Sequence, residues 1–215
     1  MKTIVFASNK GGTGKTTMSC AIARSFAEIA PTALIDADVT GPDVMSVLGI
    51  PSDHAVFDLD HFYPVQVTEH LQVFSPSMII PEGIGVTWTG DLRGEMIREL
   101  LERVVWNGEP EYMIIDSPPS TSDELLTVLL QTNPSGVVIV TLGSYTSISD
   151  AKRLLAALEN EKFNIPVIGY IRNMVDVFGK GELDGVVLLG DVMKTDSLDI
   201  SHIRDNIIKR LEELE

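Results

Sequence analysis

Hydrophobic residues fall into short runs separated by amphipathic stretches. The runs at 4–7, 33–35, 71–74, 112–115, 137–142, 167–171 and 186–189 are mostly continuous rather than alternating. Continuous runs suit strands covered on both faces, as in a parallel sheet flanked by helices. Between them, apolar positions recur at helical spacing near 15–30, 91–106, 122–132 and 147–160. A last helix carries Ile200, Ile203, Ile207, Leu211 and Leu214 on one face. Alternation of β and α over the whole length predicts an α/β doubly wound fold. The expectation is a mostly parallel sheet with helices on both faces, in one domain covering 1–215. The stretch 50–90 is the least regular, and Pro51, Pro64, Pro76 and Pro81 break it into predicted loops.

Charge narrows the classes of partner. Lys and Arg total 16 against 31 Asp and Glu, a net charge of −15. Nucleic acid and anionic membrane both need clustered Lys/Arg, so neither is expected as the main partner. The last helix sets Asp205, Glu212, Glu213 and Glu215 beside Arg204, Lys209 and Arg210, which reads as core packing rather than a basic membrane-surface helix. No apolar run reaches about 18 residues, and the start lacks a signal-peptide pattern. The expected location is the cytoplasm.

Cys20 is the single cysteine, which excludes an intrachain disulfide or CxxC metal site. It lies off the Met18–Ile22–Phe26–Ile29 stripe, among small residues, and reads as packing. His54, His61, His70 and His202 show no ligand-pair spacing and read as surface residues.

The strongest chemical signal is Ser8-Asn9-Lys10-Gly11-Gly12-Thr13-Gly14-Lys15-Thr16-Thr17, between a predicted strand and a predicted helix. That context marks a P-loop. Gly11, Gly12 and Gly14 let successive backbone N–H groups, with those of Thr13, Lys15, Thr16 and Thr17, curl around phosphate. The helix N-terminus adds partial positive charge. Lys15 should bridge the β- and γ-phosphates of ATP, and the Thr16 hydroxyl should ligate Mg²⁺. Asn9 stands where the general pattern has glycine, and asparagine is among the few residues that tolerate positive φ.

Two further strands end in carboxylates. Residues 112–115 are Tyr-Met-Ile-Ile and lead into Asp116, and residues 34–35 lead into Asp36-Ala37-Asp38. Ligands bind at the carboxyl edge of such sheets. Asp116 reads as the Mg²⁺ partner of a Walker-B strand, direct or through water. Asp38 reads as the carboxylate that orients the attacking water, with a possible metal contact, and Asp36 as its support. The alternative is that Asp36 and Asp38 cap a turn before Gly41-Pro42.

Lys10, just before Gly11-Gly12, resembles the signature lysine of the deviant Walker A P-loop of the MinD/ParA family. That resemblance implies a homodimer across the nucleotide, with Lys10 acting in trans on the partner's phosphates. A solvated loop lysine is the other reading. Asp36-Ala37-Asp38-Val39-Thr40-Gly41-Pro42 is similar to the switch I of the Mrp/ApbC group within that family. Val86-Thr87-Trp88-Thr89-Gly90 resembles its tryptophan–glycine motif, and Asp116-Ser117-Pro118-Pro119-Ser120-Thr121-Ser122 its switch II. Arg172-Asn173-Met174 matches its Asn-Met dipeptide, which implies that Asn173 binds the adenine edge. The match spans about 1–174.

Two departures stand out. Serines 120 and 122 replace the glycines that flank the switch II threonine. The group's iron–sulfur carriers place a CxxC soon after the Asn-Met, whereas 175–184 here contain neither cysteine nor histidine. The resemblance thus implies a slow Mg–ATPase, an ATP-driven dimeric switch serving an unknown protein client in metallocluster assembly, without a cluster on the group's usual ligands. Two other classes stay open: a ParA/MinD-type positioning ATPase, which would need a basic face or tail, and a non-catalytic nucleotide-binding regulator.

Overall fold

The computed structural model describes residues 1–51, 56–58, 60–79, 90–119, 123–160, 165–194 and 200–214. His54, Ile80, Pro81, the tryptophan segment 86–89 and the switch II residues Ser120, Thr121 and Ser122 lie outside them.

The continuous apolar runs form β1 (Lys2–Ala7), β2 (Thr32–Asp36), β6 (Leu71–Phe74), β7 (Tyr112–Asp116), β8 (Gly136–Leu142) and β9 (Val167–Asn173). The last run is displaced, with β10 at Leu188–Asp191. With β5 (Val65–Thr68) these make one eight-stranded sheet, in the order β10-β9-β8-β1-β7-β2-β6-β5. Every pairing in it is parallel except β5 with β6. Strand β1 is central, Val5 facing Ile115 on one side and Val137 on the other. All three are fully buried, which is why their sequence is unbroken Val and Ile.

Five predicted helices appear as α1 (Lys15–Ala27), α3 (Gly90–Arg103), α4 (Asp123–Thr132), α5 (Tyr145–Leu158) and α7 (Ser201–Leu214). Two short helices, α2 (Val44–Leu48) and α6 (Val175–Phe178), were not legible from periodicity. Parallel crossovers are right-handed. The step from β1 to β2 through α1 therefore lies on the opposite face from α3, α4 and α5, whose crossovers run the other way. Helix α1 packs with α2 and α7, while α3 packs with α4. Phe6, Phe26 and Phe74 are among the largest fully buried side chains, and Phe26 meets Tyr112 at a centroid distance of 4.5 Å.

Two expectations need correction. The stretch 50–90 is more than loops: β3 (Val56–Phe57) and β4 (Phe62–Tyr63) form a hairpin, and β5 adds an antiparallel edge to β6. Two-residue strands are too short to show a period, and β5 is only half-buried on alternate residues. Ile29 leaves the predicted stripe. Helix α1 ends at Ala27, so Ile29 lies past its end and is 52% exposed. The last helix does pack inward, burying Ile203, Ile207 and Leu211 against α1 and β9.

Candidate functional site

The carboxyl ends of β1, β7 and β2 lie side by side at the middle of the sheet. Phe6 of β1 is in register with Asp116, and Asp116 with Asp36. At this point the chain leaves β1 for α1 through residues 8–14. Gly14 caps α1 in the left-handed region, φ 85°, and Gly12 has φ 80°. A Cβ on Gly14 would sit 2.2 Å from Asn173 Nδ2, so no other residue fits there. Gly11 and Gly12 have open space where a Cβ would stand. Thr13 is buried beneath them, its Oγ1 without a hydrogen-bond partner. Asn9 does not use positive φ. Its amide instead donates to the Asp150 carbonyl at 3.1 Å and ties the loop to α5.

The three residues chosen from sequence as the phosphate and metal centre come together. Lys15 Nζ lies 2.8 Å from Asp116 Oδ1, and Thr16 Oγ1 donates to Asp116 Oδ2 at 2.8 Å. Lys15 is 7% exposed and Asp116 1%, a buried ion pair at a helix N-terminus. Ser19 was not anticipated. Its Oγ is 2.9 Å from Asp116 Oδ1 and 2.9 Å from the Thr16 carbonyl. Ser19 stands three residues after Thr16, so helical spacing puts both hydroxyls on one face. A hydroxyl and a carboxylate 2.8 Å apart are hard oxygen donors of the kind Mg²⁺ takes beside phosphate and water. The donor set therefore fits Mg²⁺. Thr17 is exposed on the first turn of α1.

Asp36 is fully buried. Its Oδ1 accepts from Asp38 N–H at 3.1 Å, and its Oδ2 from Val44 N–H at 3.2 Å and Ser75 Oγ at 3.0 Å. Burial, and then the charge of Asp116 on the neighbouring strand, hold its pKa well above the ordinary carboxylate range. Asp38 is partly exposed. Its Oδ1 accepts from Thr40 N–H, Thr40 Oγ1 and Gly41 N–H at 3.1, 2.8 and 3.0 Å, an Asx turn. The turn-capping geometry weighed for these two aspartates is therefore present.

Asn173 ends β9, buried beside the P-loop. Its Nδ2 donates to the Thr13 carbonyl at 2.9 Å and its Oδ1 accepts from Met174 N–H at 2.9 Å. The amide expected at the adenine edge also clamps the P-loop here. Lys10 is exposed and makes no ion pair with a described residue.

After Asn173 the chain runs through α6 into a loop anchored by Arg172. The guanidinium bonds both Asp191 oxygens, at 2.7 and 3.0 Å, and the carbonyls of Lys180 and Gly181. That pairing pushes Asp191 below and Arg172 above their usual ranges. The loop also touches the residue after β8, where a Cβ on Gly143 would sit 1.8 Å from the Gly179 carbonyl oxygen. Cys20 is buried on α1, facing the Val44 carbonyl, and burial pushes its thiol far up. The described histidines His61, His70 and His202 are exposed. Among the described residues no three His, Cys, Asp or Glu side chains form a metal-ion cluster. The segment 77–79 covers the core, with Met78 buried. No helix of the described residues is long and apolar enough to cross a membrane.

Comparison with known proteins gives a consistent picture. The profile of the NUBPL iron-transfer P-loop NTPase family matches residues 1–184. The chain is 33% identical over 193 residues to an iron-sulfur cluster carrier protein of Methanocaldococcus jannaschii, a match covering 83% of this chain. It spans 65% of that relative's length. Among solved structures, a nucleotide-binding protein of Archaeoglobus fulgidus in complex with ADP superposes with a TM-score of 0.74 at 25% identity, over all of this chain and 88% of the other. MinD of Pyrococcus horikoshii, complexed with Mg-ADP, shares the fold at a TM-score of 0.69 and 17% identity, over 100% of this chain and 96% of that one.

Proposed function

The chain belongs to the NUBPL-type P-loop NTPase family, and from that premise we propose that it is a slow Mg²⁺-dependent ATPase working as an ATP-driven homodimeric switch. One observation supports this above the others: Lys15, Thr16 and Asp116 converge within hydrogen-bond distance at the N-terminus of α1. Phosphoryl transfer needs little else from protein than positioning and electrostatics. The N–H groups of the loop orient the phosphates, and Lys15 supplies the cation for the β- and γ-oxygens. Thr16 and Asp116 would hold Mg²⁺, which when bound neutralises charge developing on the transferring phosphoryl group. Asp38 orients the attacking water, and the products are ADP and phosphate. Lys10, exposed on the loop, reaches the phosphates of the second protomer. Asn173, held beside the P-loop by its bond to the Thr13 carbonyl, contacts the adenine edge.

The cargo role differs from that of a cluster carrier. The one thiol, Cys20, is buried with a raised pKa, and 175–184 offer neither thiol nor imidazole. We therefore assign the chain to a cytoplasmic step of iron–sulfur protein assembly in which a protein client supplies the cluster ligands. The net charge of −15 disfavours a DNA- or membrane-positioning role.

Two measurements check this reading. Phosphate release should be abolished by EDTA and, with excess Mg²⁺, proceed on the order of minutes or longer per turnover, as intrinsic P-loop rates do. Release that is indifferent to EDTA would remove the Mg²⁺ assignment. Reconstitution with iron and sulfide should give little visible absorbance, and a stable stoichiometric cluster would overturn the reading of the missing cysteines.

A further inference from the structure

The Asp36 carboxylate joins three separate elements. Ser75, which follows β6, donates to Oδ2. Val44, which opens α2, donates to the same oxygen, and Asp38, which opens the switch I turn, donates to Oδ1. Ser75 is fully buried. Its Oγ also lies 3.0 Å from Ser77 Oγ. A serine hydroxyl has one proton to give. With Asp36 an acceptor, the chain of donors runs from Ser77 to Ser75 to Asp36. Ser75 N–H meets the Met78 sulfur, and Ser75 caps the short 3-10 turn Pro76–Met78. The serine is thus fixed on its own side of the bond, and a fixed donor sets the carboxylate.

Asp36 sits two residues before Asp38, and its Oδ1 holds the Asp38 N–H. The rest of the Asp38 turn is held by its own side chain, on Thr40 and Gly41. The turn is tied to the sheet by the Ala37 N–H, which donates to the Asp116 carbonyl at 2.9 Å, and by the Asp36 carboxylate, and Ser75 aims the second of these. We propose that Ser75 is a positioning residue for ATP hydrolysis, acting through Asp36 to place the Asp38 carboxylate. This rests on the reading of Asp38 as the residue that orients water. The bond also links β6, which carries no phosphate or metal ligand, to the nucleotide edge.

The test uses the full chain with Mg²⁺, measuring kcat, KM for ATP and Kd for a non-hydrolysable ATP analogue. Removing one donor to a buried carboxylate should cost about tenfold in kcat in Ser75→Ala. KM and the analogue Kd should stay within about twofold, because the P-loop contacts are untouched. Ser75→Thr, which keeps the hydroxyl, should recover most of the lost rate. In Asp36→Asn, adding Ser75→Ala should cost little more, since the two act in series. Asp38→Asn separates the layers of the argument. If it abolishes turnover while Ser75→Ala leaves kcat unchanged, the positioning role is overturned. If Asp38→Asn itself turns over normally, the reading of Asp38 fails first. A parallel fall in kcat and analogue affinity in Ser75→Ala, not recovered by threonine, would mark general loosening and also overturn the proposal.

Discussion

Lys15→Ala is expected to abolish ATP binding, the largest functional effect of any single substitution in this chain. The lysine is a buried cation at the mouth of the P-loop, 2.8 Å from Asp116 Oδ1. Without it the phosphates would lose the cation that offsets Asp116 within their own protomer. The same change destabilises the fold, because Asp116 would remain buried without its cation. Breaking such a pair costs about 3–5 kcal/mol. The double variant Lys15→Ala/Asp116→Asn removes the orphaned charge. It should recover much of the melting temperature while binding stays lost. Titration calorimetry and thermal unfolding of both variants separate the effects. Wild-type affinity in a folded Lys15→Ala protein would remove the P-loop assignment.

Lys10→Ala is expected to have the second largest effect, of a different kind. Lys10 is exposed and pairs with no described residue, so its loss should leave the melting temperature and nucleotide affinity near wild type. Turnover should fall on the order of 10³-fold, the low end of what a phosphate-directed cation supplied in trans contributes. Adding an excess of a hydrolysis-dead Lys15→Ala/Asp116→Asn protein should not restore it, since that partner cannot hold nucleotide. Unchanged turnover would make Lys10 a solvated loop lysine.

Much of this fold was legible because buried parallel strands carry an unmistakable composition. Residues 137–142 are apolar apart from Thr141, and β8 is buried at every position. Helix α7 was visible for the complementary reason, a single apolar face at a 3.6-residue period. The hairpin of β3 and β4 was not, because two residues per strand define no period. The phosphate centre was legible because its glycines and lysine are adjacent in sequence, and Asp116 because a buried strand points at it.

What escaped were contacts between elements distant in sequence. Ser19 on α1 and Ser75 after β6 are small polar residues in apolar surroundings, and only the packing of these elements on β7 and β2 shows that both face a carboxylate. Asn9 spends its amide on α5 rather than on a positive φ, and the bond from Asn173 to the Thr13 carbonyl, across 160 residues, was not visible in the sequence. A side-chain amide suits a nucleotide base and a backbone carbonyl equally well, so residue type alone does not separate the two. The segment 175–181 shows the same limit from the other side. Its lack of cysteine was plain, whereas its attachment through Arg172 and Asp191, separated by 19 residues, was not.

The most direct test of the proposed switch is the mass of the particle in solution, by light scattering, with and without Mg²⁺ and a saturating non-hydrolysable ATP analogue. The chain should run as a monomer without nucleotide and at twice that mass with it, and Lys10→Ala should stay monomeric under both conditions while still binding the analogue. A mass that does not change with saturating nucleotide, in wild-type protein shown to bind it, would contradict an ATP-driven dimer.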